Sequence, residues 1–198
     1  MSNFSIVSDI TKALRGHLFN ALANAPGVSM DFTDMSTDIS LSPPQSSATD
    51  GTAKLSLYLY HLDVNNAKRN QLKLSASADE LRLPPLPLEL MYLVTPLNNE
   101  DDSNQIVIGR VLQFIYDNPI FKDLDGIPIG SSFGGGSPEI RITPYLLSVE
   151  QLTQLWNAFD QPFRLSLAFK VDVVSLDSAQ VPELAPRVTD IQGLAGIK

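Results

Sequence analysis

Apolar residues first recur at helical spacing. Ile6, Ile10, Ala13, Leu14, Leu18 and Ala21 share one stripe of a helix predicted from about Ser5 to Ala23. Lys12 and Arg15 point the other way, and "APG" at 25–27 ends the helix. His17 lies within the stripe, which assigns it to the core or its boundary rather than to catalysis. Phe19 is the outlier: it falls near Lys12 and Arg15 on the polar side, where an exposed aromatic can anchor a contact.

Period-two patterns follow. Val28, Met30 and Phe32 alternate, as do Ile39 and Leu41, predicting two short strands or an extended arm. After the loop "SPPQSSATDGT", the segment "KLSLYLYHL" places Leu55, Leu57 and Leu59 on one face. Tyr58, Tyr60 and Leu62 lie largely on the other. Two apolar faces predict a strand inside its sheet. Residues 63–80 are polar and read as a long loop or protruding hairpin.

The stretch "LRLPPLPLELMYLVTP", residues 81–96, holds a second two-faced strand. In it Leu88, Leu90, Tyr92 and Val94 alternate with Glu89, Met91 and Leu93. Proline has no backbone donor, so Pro84, Pro85 and Pro87 are expected before the central ladder, with Pro96 ending it. Such a fence limits slips of register. Pro84 and Pro87 also satisfy P-x-x-P, but Arg82 is misplaced for a ligand of that kind and the run that follows is too apolar to stay exposed.

In "NQIVIGRVLQFIYDNP", Val107, Ile108, Val111, Leu112, Phe114, Ile115 and Tyr116 cover more than half of a helix. Gly109, Arg110, Gln113 and Asp117 leave a narrow polar strip. This predicts a deeply buried helix, or one shared with a neighbouring subunit. "DLDGIPIGSSFGGGSPE" reads as a loop and "EIRIT" as a short strand. Ser148 is an expected N-cap with Gln151 as its capping-box partner, ahead of a stripe of Val149, Leu152, Leu155, Trp156 and Phe159. In "PFRLSLAFKVDVV", Phe163 through Val173 alternate with Arg164 through Asp172, predicting a long strand with one face to solvent or a partner. The fold class that results is α/β (α+β), a mixed, largely antiparallel sheet packed by about three helices. Residues 1–176 form one domain, and 177–198 form a C-terminal extension expected to order only on a partner.

Composition narrows the function. The 198 residues, 43% of them hydrophobic, suit one domain with a sizeable core. The absence of cysteine removes thiolate nucleophiles, thiolate metal sites and disulfides together. A net charge of −8 with scattered Lys and Arg argues against nucleic acid as a partner. No apolar run approaches the roughly 20 residues a membrane helix needs, and the N-terminus does not read as a signal peptide, so no direct membrane insertion is expected. His61 and Asp63 share one side of a strand end, but no nucleophile or oxyanion-hole motif accompanies them. "GGG" at 134–136 is not followed by Gly-Lys-Ser/Thr, and "NNEDDSN" lacks calcium-loop spacing. No catalytic, cofactor-binding or metal-binding residue is assigned.

Several segments together resemble a known family. "FSIVSDITKAL", "LSLYLYHL", "KRN", "LPPLPLELMYLVTP", "GRVLQFIYDNP" and "ITPYLLSVEQLTQLWNAFDQPFRLSLAFKVDVV" occur here in one order. They resemble the cap, or tail-terminator, proteins of phage-tail-like contractile injection systems, over about residues 3–176. The resemblance implies a non-catalytic ring subunit, a homo-hexamer at the distal end of an inner tube and its sheath. The ring would stop polymerisation and tie tube protein to sheath protein. It also implies a cytoplasmic protein assembled into the particle, which is then released or kept by its producer. An adaptor to a membrane anchor or another component of the same particle is the alternative, and a hydrolase a more distant one. Sequence character alone marks Phe19, Lys68, Arg69, Arg164 and Lys170 as candidate partner contacts. Sheath contact by strand addition would use the long strand at 163–174 and the extension.

Overall fold

A computed structural model describes residues 4–28, 30–44, 51–67, 74–77, 80–121, 123–124, 127–128, 140–176, 178–181 and 183–184. In chain order the elements are α1 (Ile6–Ala23), α2 (Met35–Asp38), β1 (Ile39–Ser40), β2 (Leu55–Val64), β3 (Leu74–Ser77), β4 (Glu80–Arg82), β5 (Leu86–Pro96), α3 (Asp101–Asp117), β6 (Ile120–Phe121), β7 (Asp123–Leu124), β8 (Ile127–Pro128), β9 (Ile140–Pro144), α4 (Val149–Ala158), β10 (Leu167–Leu176) and β11 (Glu183–Leu184). The main sheet runs β1-β2-β5-β10-β9-β6, with β11-β4-β3 and β7-β8 as small separate sheets. Only the β1–β2 pair is parallel among the pairings described. The fold is thus the mixed, largely antiparallel α/β arrangement expected, with α2 a fourth helix of one turn.

The alternation in β5 sorts the molecule into two unequal layers. Leu88, Leu90, Tyr92 and Val94 point into a thick core with Ile10, Leu14 and Leu18 of α1 and Val107, Val111 and Ile115 of α3. On the other face Leu93 joins a thinner cluster of Trp156, Phe159 and Ala168, backed by α4. Inside the thick layer the Tyr92 ring stacks on Phe169 at 5.4 Å, and its hydroxyl lies 2.7 Å from Thr11 Oγ1. β5 lies between β2 and β10, as its two apolar faces require.

The proline fence is corrected at one position: Pro84 and Pro85 precede the ladder as expected, but Pro87 does not. Pro87 lies inside β5, opposite Ser175, and Pro96 lies opposite Leu55. Each sits at a strand end, where a missing donor breaks little of the ladder. The Pro87 carbonyl still accepts from Asn65 N–H at 2.9 Å.

Other expectations are corrected. The first alternating stretch is no strand: Met30 and Phe32 are buried from an arm outside the sheet, and only Ile39–Ser40 pair, parallel to Leu55–Ser56. Beyond Ser56 the outer edge of β2 has no partner strand among the described residues, so β2 is interior only at its start. A bulge between Leu59 and His61 brings Leu62 opposite Leu90. Paired residues share a face, so Leu62 leaves the Tyr58 side. β10 begins at Leu167 rather than Phe163, because the chain first packs Phe163 against α4, with its ring 6.1 Å from that of Trp156. In the extension, Glu183 and Leu184 pair with Leu81 and Glu80.

Candidate functional site

Two exposed apolar surfaces lie on opposite sides of the sheet. The first is the outer face of α3. Val107, Ile108, Val111 and Ile115 are buried, which leaves Ile106, Leu112 and Tyr116 exposed, Tyr116 at 84%. At 100° per residue, Gly109 falls on this outward face between Ile106 and Tyr116, together with the exposed side chains of Gln105 and Gln113. A Cβ built on Gly109 meets no described atom within 4 Å. Of the two expectations, deep burial or sharing with a neighbouring subunit, deep burial is corrected: the helix buries one side and shows apolar groups on the other. Its ends carry exposed acids, Glu100, Asp101 and Asp102 at the start and Asp117 at the finish. Arg110 is held to the molecule, donating from Nε to the Ala21 carbonyl at 3.1 Å and from Nη1 to Gln113 Oε1 at 2.8 Å.

The second surface surrounds α4. Ser148 Oγ accepts Gln151 N–H at 3.2 Å and Gln151 Oε1 accepts Ser148 N–H at 2.9 Å, closing the expected capping box. At the far end Asp160 adopts φ 52°, a left-handed conformation that Asp tolerates better than most residues. Asp160 N–H donates to the Asn157 carbonyl at 3.1 Å and Gln161 N–H to the Trp156 carbonyl at 3.5 Å, a Schellman turn. The turn folds residues 161–163 back along the helix. A groove of about 290 Å³ results, lined by Trp156, Phe163, Val149, Pro162, Asn157 and Gln161, with Thr153 beside them. Trp156 is buried, and its Nε1 has no hydrogen-bond partner among the described residues. Val149, expected in the buried stripe, is 80% exposed at the groove, and Leu146 nearby is 94% exposed.

The candidate contacts do not converge on one place. Phe19 is half-buried and packs against the thick core, since α1 is flanked by α3 as well as the sheet. Lys170 is tied down inside the molecule. Its Nζ lies 3.0 Å from Asp172 Oδ2 and 3.4 Å from Glu89 Oε2, and the Asp172 bond leads the causes that raise its pKa. Arg164 is half-buried between Phe163 and Leu165, next to the groove. Lys68 and Arg69 fall outside the described residues, as does "GGG" at 134–136. His61 and Asp63 sit on the exposed end of β2 and line no part of the groove; Asp63 Oδ1 accepts the Val64 N–H at 2.7 Å. His17 stays at the core boundary, its ring 4.8 Å from Phe121. No group of three or more His, Asp or Glu able to hold a metal occurs among the described residues, and no described helix is long and apolar enough to cross a membrane.

The Trp156–Phe163 groove escaped the sequence reading, because Phe163 continued the alternation of β10, whereas the apolar run of α3, Tyr116 included, is open in sequence to deep burial or to sharing with a neighbouring subunit. The surplus of apolar residues around α3 was the available signal, because one sheet face cannot cover more than about half of a helix.

Comparison with known proteins points one way. The profile of the Pvc16 N-terminal domain matches residues 9–190. Among curated proteins no sequence matches the chain. Among solved structures, one similar chain is the PVC sheath/tube terminator of an extracellular contractile injection system in its extended state, seen by cryo-electron microscopy. The identity is 21% and the TM-score 0.61, over 97% of this chain and 64% of that one. Another is the tube-terminating cap of the anti-feeding prophage, at 19% identity and a TM-score of 0.59, over 93% of this chain and 59% of that one. The chain therefore spans less than two thirds of the length of either neighbour.

Proposed function

The chain belongs to the Pvc16 N-terminal domain family, and on that premise we propose that it is a structural terminator of a contractile injection particle. Copies of it close into a ring, a hexamer on this reading, at the distal end of the inner tube and sheath. By occupying the last sites of both polymers the ring ends their growth and ties one to the other. The observation that supports this is the fold shared with two terminators over almost the whole chain. A two-layer body with apolar surfaces on both sides of its sheet suits a subunit with neighbours on two flanks. The reading assigns no chemistry to His61 or Asp63, and places the protein on the particle with tube and sheath proteins as partners. The extension from residue 177 belongs to the same proposal as a segment completed by a partner.

The test is to add the purified chain to polymerising tube protein and measure tube lengths by electron microscopy and bound mass by light scattering. Shortened tubes with the chain at their ends are expected. Truncation after Leu184 keeps the β11–β4 pairing and tests the remaining residues alone. Tubes of unchanged length with no chain at their ends would overturn the terminator role and favour an adaptor elsewhere on the particle.

A further inference from the structure

We propose that residues 146–166, α4 with the chain that returns from it, form a lid that opens from the sheet as a unit while the thick layer stays folded. The segment leaves and re-enters the sheet at one point, where Tyr145 N–H donates to the Ala168 carbonyl at 2.9 Å. An excursion with its ends held together can move without disturbing the strands on either side of it. Its hydrogen bonds stay inside it. The Ser148–Gln151 box caps one end of α4, Thr153 Oγ1 donates to the Val149 carbonyl at 2.8 Å, and the turn at Asp160 closes the other end. No hydrogen bond or ion pair runs from this segment to the other described residues. The other long helices are tied down: Thr11 Oγ1 of α1 lies 2.7 Å from the Tyr92 hydroxyl, and Arg110 Nε of α3 donates to the Ala21 carbonyl at 3.1 Å.

Apolar contact alone holds the lid down, and that contact is small. Within the segment only Trp156 and Phe159 are fully buried, against Leu93 and Ala168, whereas α1 by itself buries Ile6, Ile10, Ala13, Leu14, Leu18 and Leu22. Leu146, Val149 and Phe163 face solvent and add little to it. Closure also buries Trp156 Nε1 and Ser166 Oγ without a hydrogen-bond partner among the described residues. Opening gives both groups to water, which offsets part of the apolar surface it exposes. At the turn, Asp160 holds a φ of 52°, a conformation that costs Asp less than most residues but more than glycine. Elements with few buried apolar contacts open before the rest of a molecule. The opened lid bares Leu93 and Ala168 on the sheet. This motion belongs to the free chain and does not rest on the terminator reading.

Trp156 is the one tryptophan of the chain and lies in the lid, so its fluorescence reports the lid while far-ultraviolet circular dichroism reports the whole chain. In urea the fluorescence change should come first, at a lower midpoint and with a smaller slope than the dichroism change. The chain has no cysteine, so an engineered thiol is the only one present. Without urea, Ala168→Cys beneath the lid should react with a thiol reagent roughly 100-fold faster or more than Ala13→Cys in α1, although both alanines are buried. Asp160→Gly relaxes the turn and should move the fluorescence midpoint to higher urea while the dichroism midpoint stays in place. Coincident fluorescence and dichroism transitions would overturn the lid. So would equal reactivity of the two thiols, or a shift of both midpoints together by Asp160→Gly. The fluorescence measurement uses the unaltered chain, so it decides the matter even where a cysteine variant does not fold.

Discussion

Replacing Asp38 by alanine tests what holds the arm between α1 and β2. The Asp38 carboxylate is buried and accepts the N–H groups of Thr33 at 2.6 Å and Asp34 at 2.9 Å. Lys54 Nζ lies 2.8 Å from Oδ1 and also donates to the Asp31 carbonyl. Alanine leaves all of these without their carboxylate. A hydrogen bond to a charged group contributes about 1.5–3 kcal/mol, and the low end applies because Thr33 and Asp34 are exposed enough to find water. The Lys54 side chain is 31% exposed, so its ion pair adds about 1 kcal/mol or less. The sum is about 3–4 kcal/mol, and with an unfolding entropy near 2.1 cal/mol/K per residue the melting temperature should fall by about 7–10 °C. Asp38→Asn keeps one acceptor oxygen and should lose roughly half as much.

The pH dependence gives the sharper check. Burial raises the Asp38 pKa, but Lys54 and the backbone N–H groups outweigh it, so the carboxyl titrates below its usual 3.8. A depressed folded pKa means the stabilisation is complete above the unfolded value and disappears as pH falls through the folded one. Urea denaturation should therefore show a wide gap between the wild-type chain and Asp38→Asn near neutral pH, closing only as the pH falls below the usual carboxylate value of 3.8. A gap that stays constant with pH, or an alanine effect below about 1 kcal/mol, would refute the assignment of the arm to this network.

Two further outcomes are expected. Burial pushes Tyr92, and burial with Tyr145 pushes Tyr60, up to about 12. Between the usual tyrosine value of about 10 and that limit the unfolded chain holds fewer protons than the folded one, so stability should fall with rising pH. Tyr92→Phe should shed about 1 kcal/mol with its bond to Thr11 and flatten that decline, as alkaline denaturation curves would show. Trp156→Ala should lower stability by about 3–5 kcal/mol by emptying the thin layer. Trp156→Phe should lose much less, because no hydrogen bond among the described residues goes with the indole N–H; calorimetry giving equal losses would show that the N–H has a partner.

The sequence by itself determined the elements that local chemistry dictates. The stripe of α1, the Ser148–Gln151 box, the alternation of β5 and the prolines at 84, 85 and 96 each carry their own physical requirement, and each stands where that requirement places it, while Pro87 enters the ladder. The order of segments also carried the family likeness. What depends on neighbours was decided by the tertiary structure. The edge status of β2, the turn of Leu62 at a bulge against β5 and the tethering of Lys170 to Glu89 follow from partners remote in the chain, and the late start of β10 from the packing of Phe163 on α4. The assembly surfaces belong to this second group. An apolar residue on α3 looks the same in sequence whether it faces the sheet or a second molecule, because periodicity reports how apolar groups are spaced and only packing decides which of them stay uncovered.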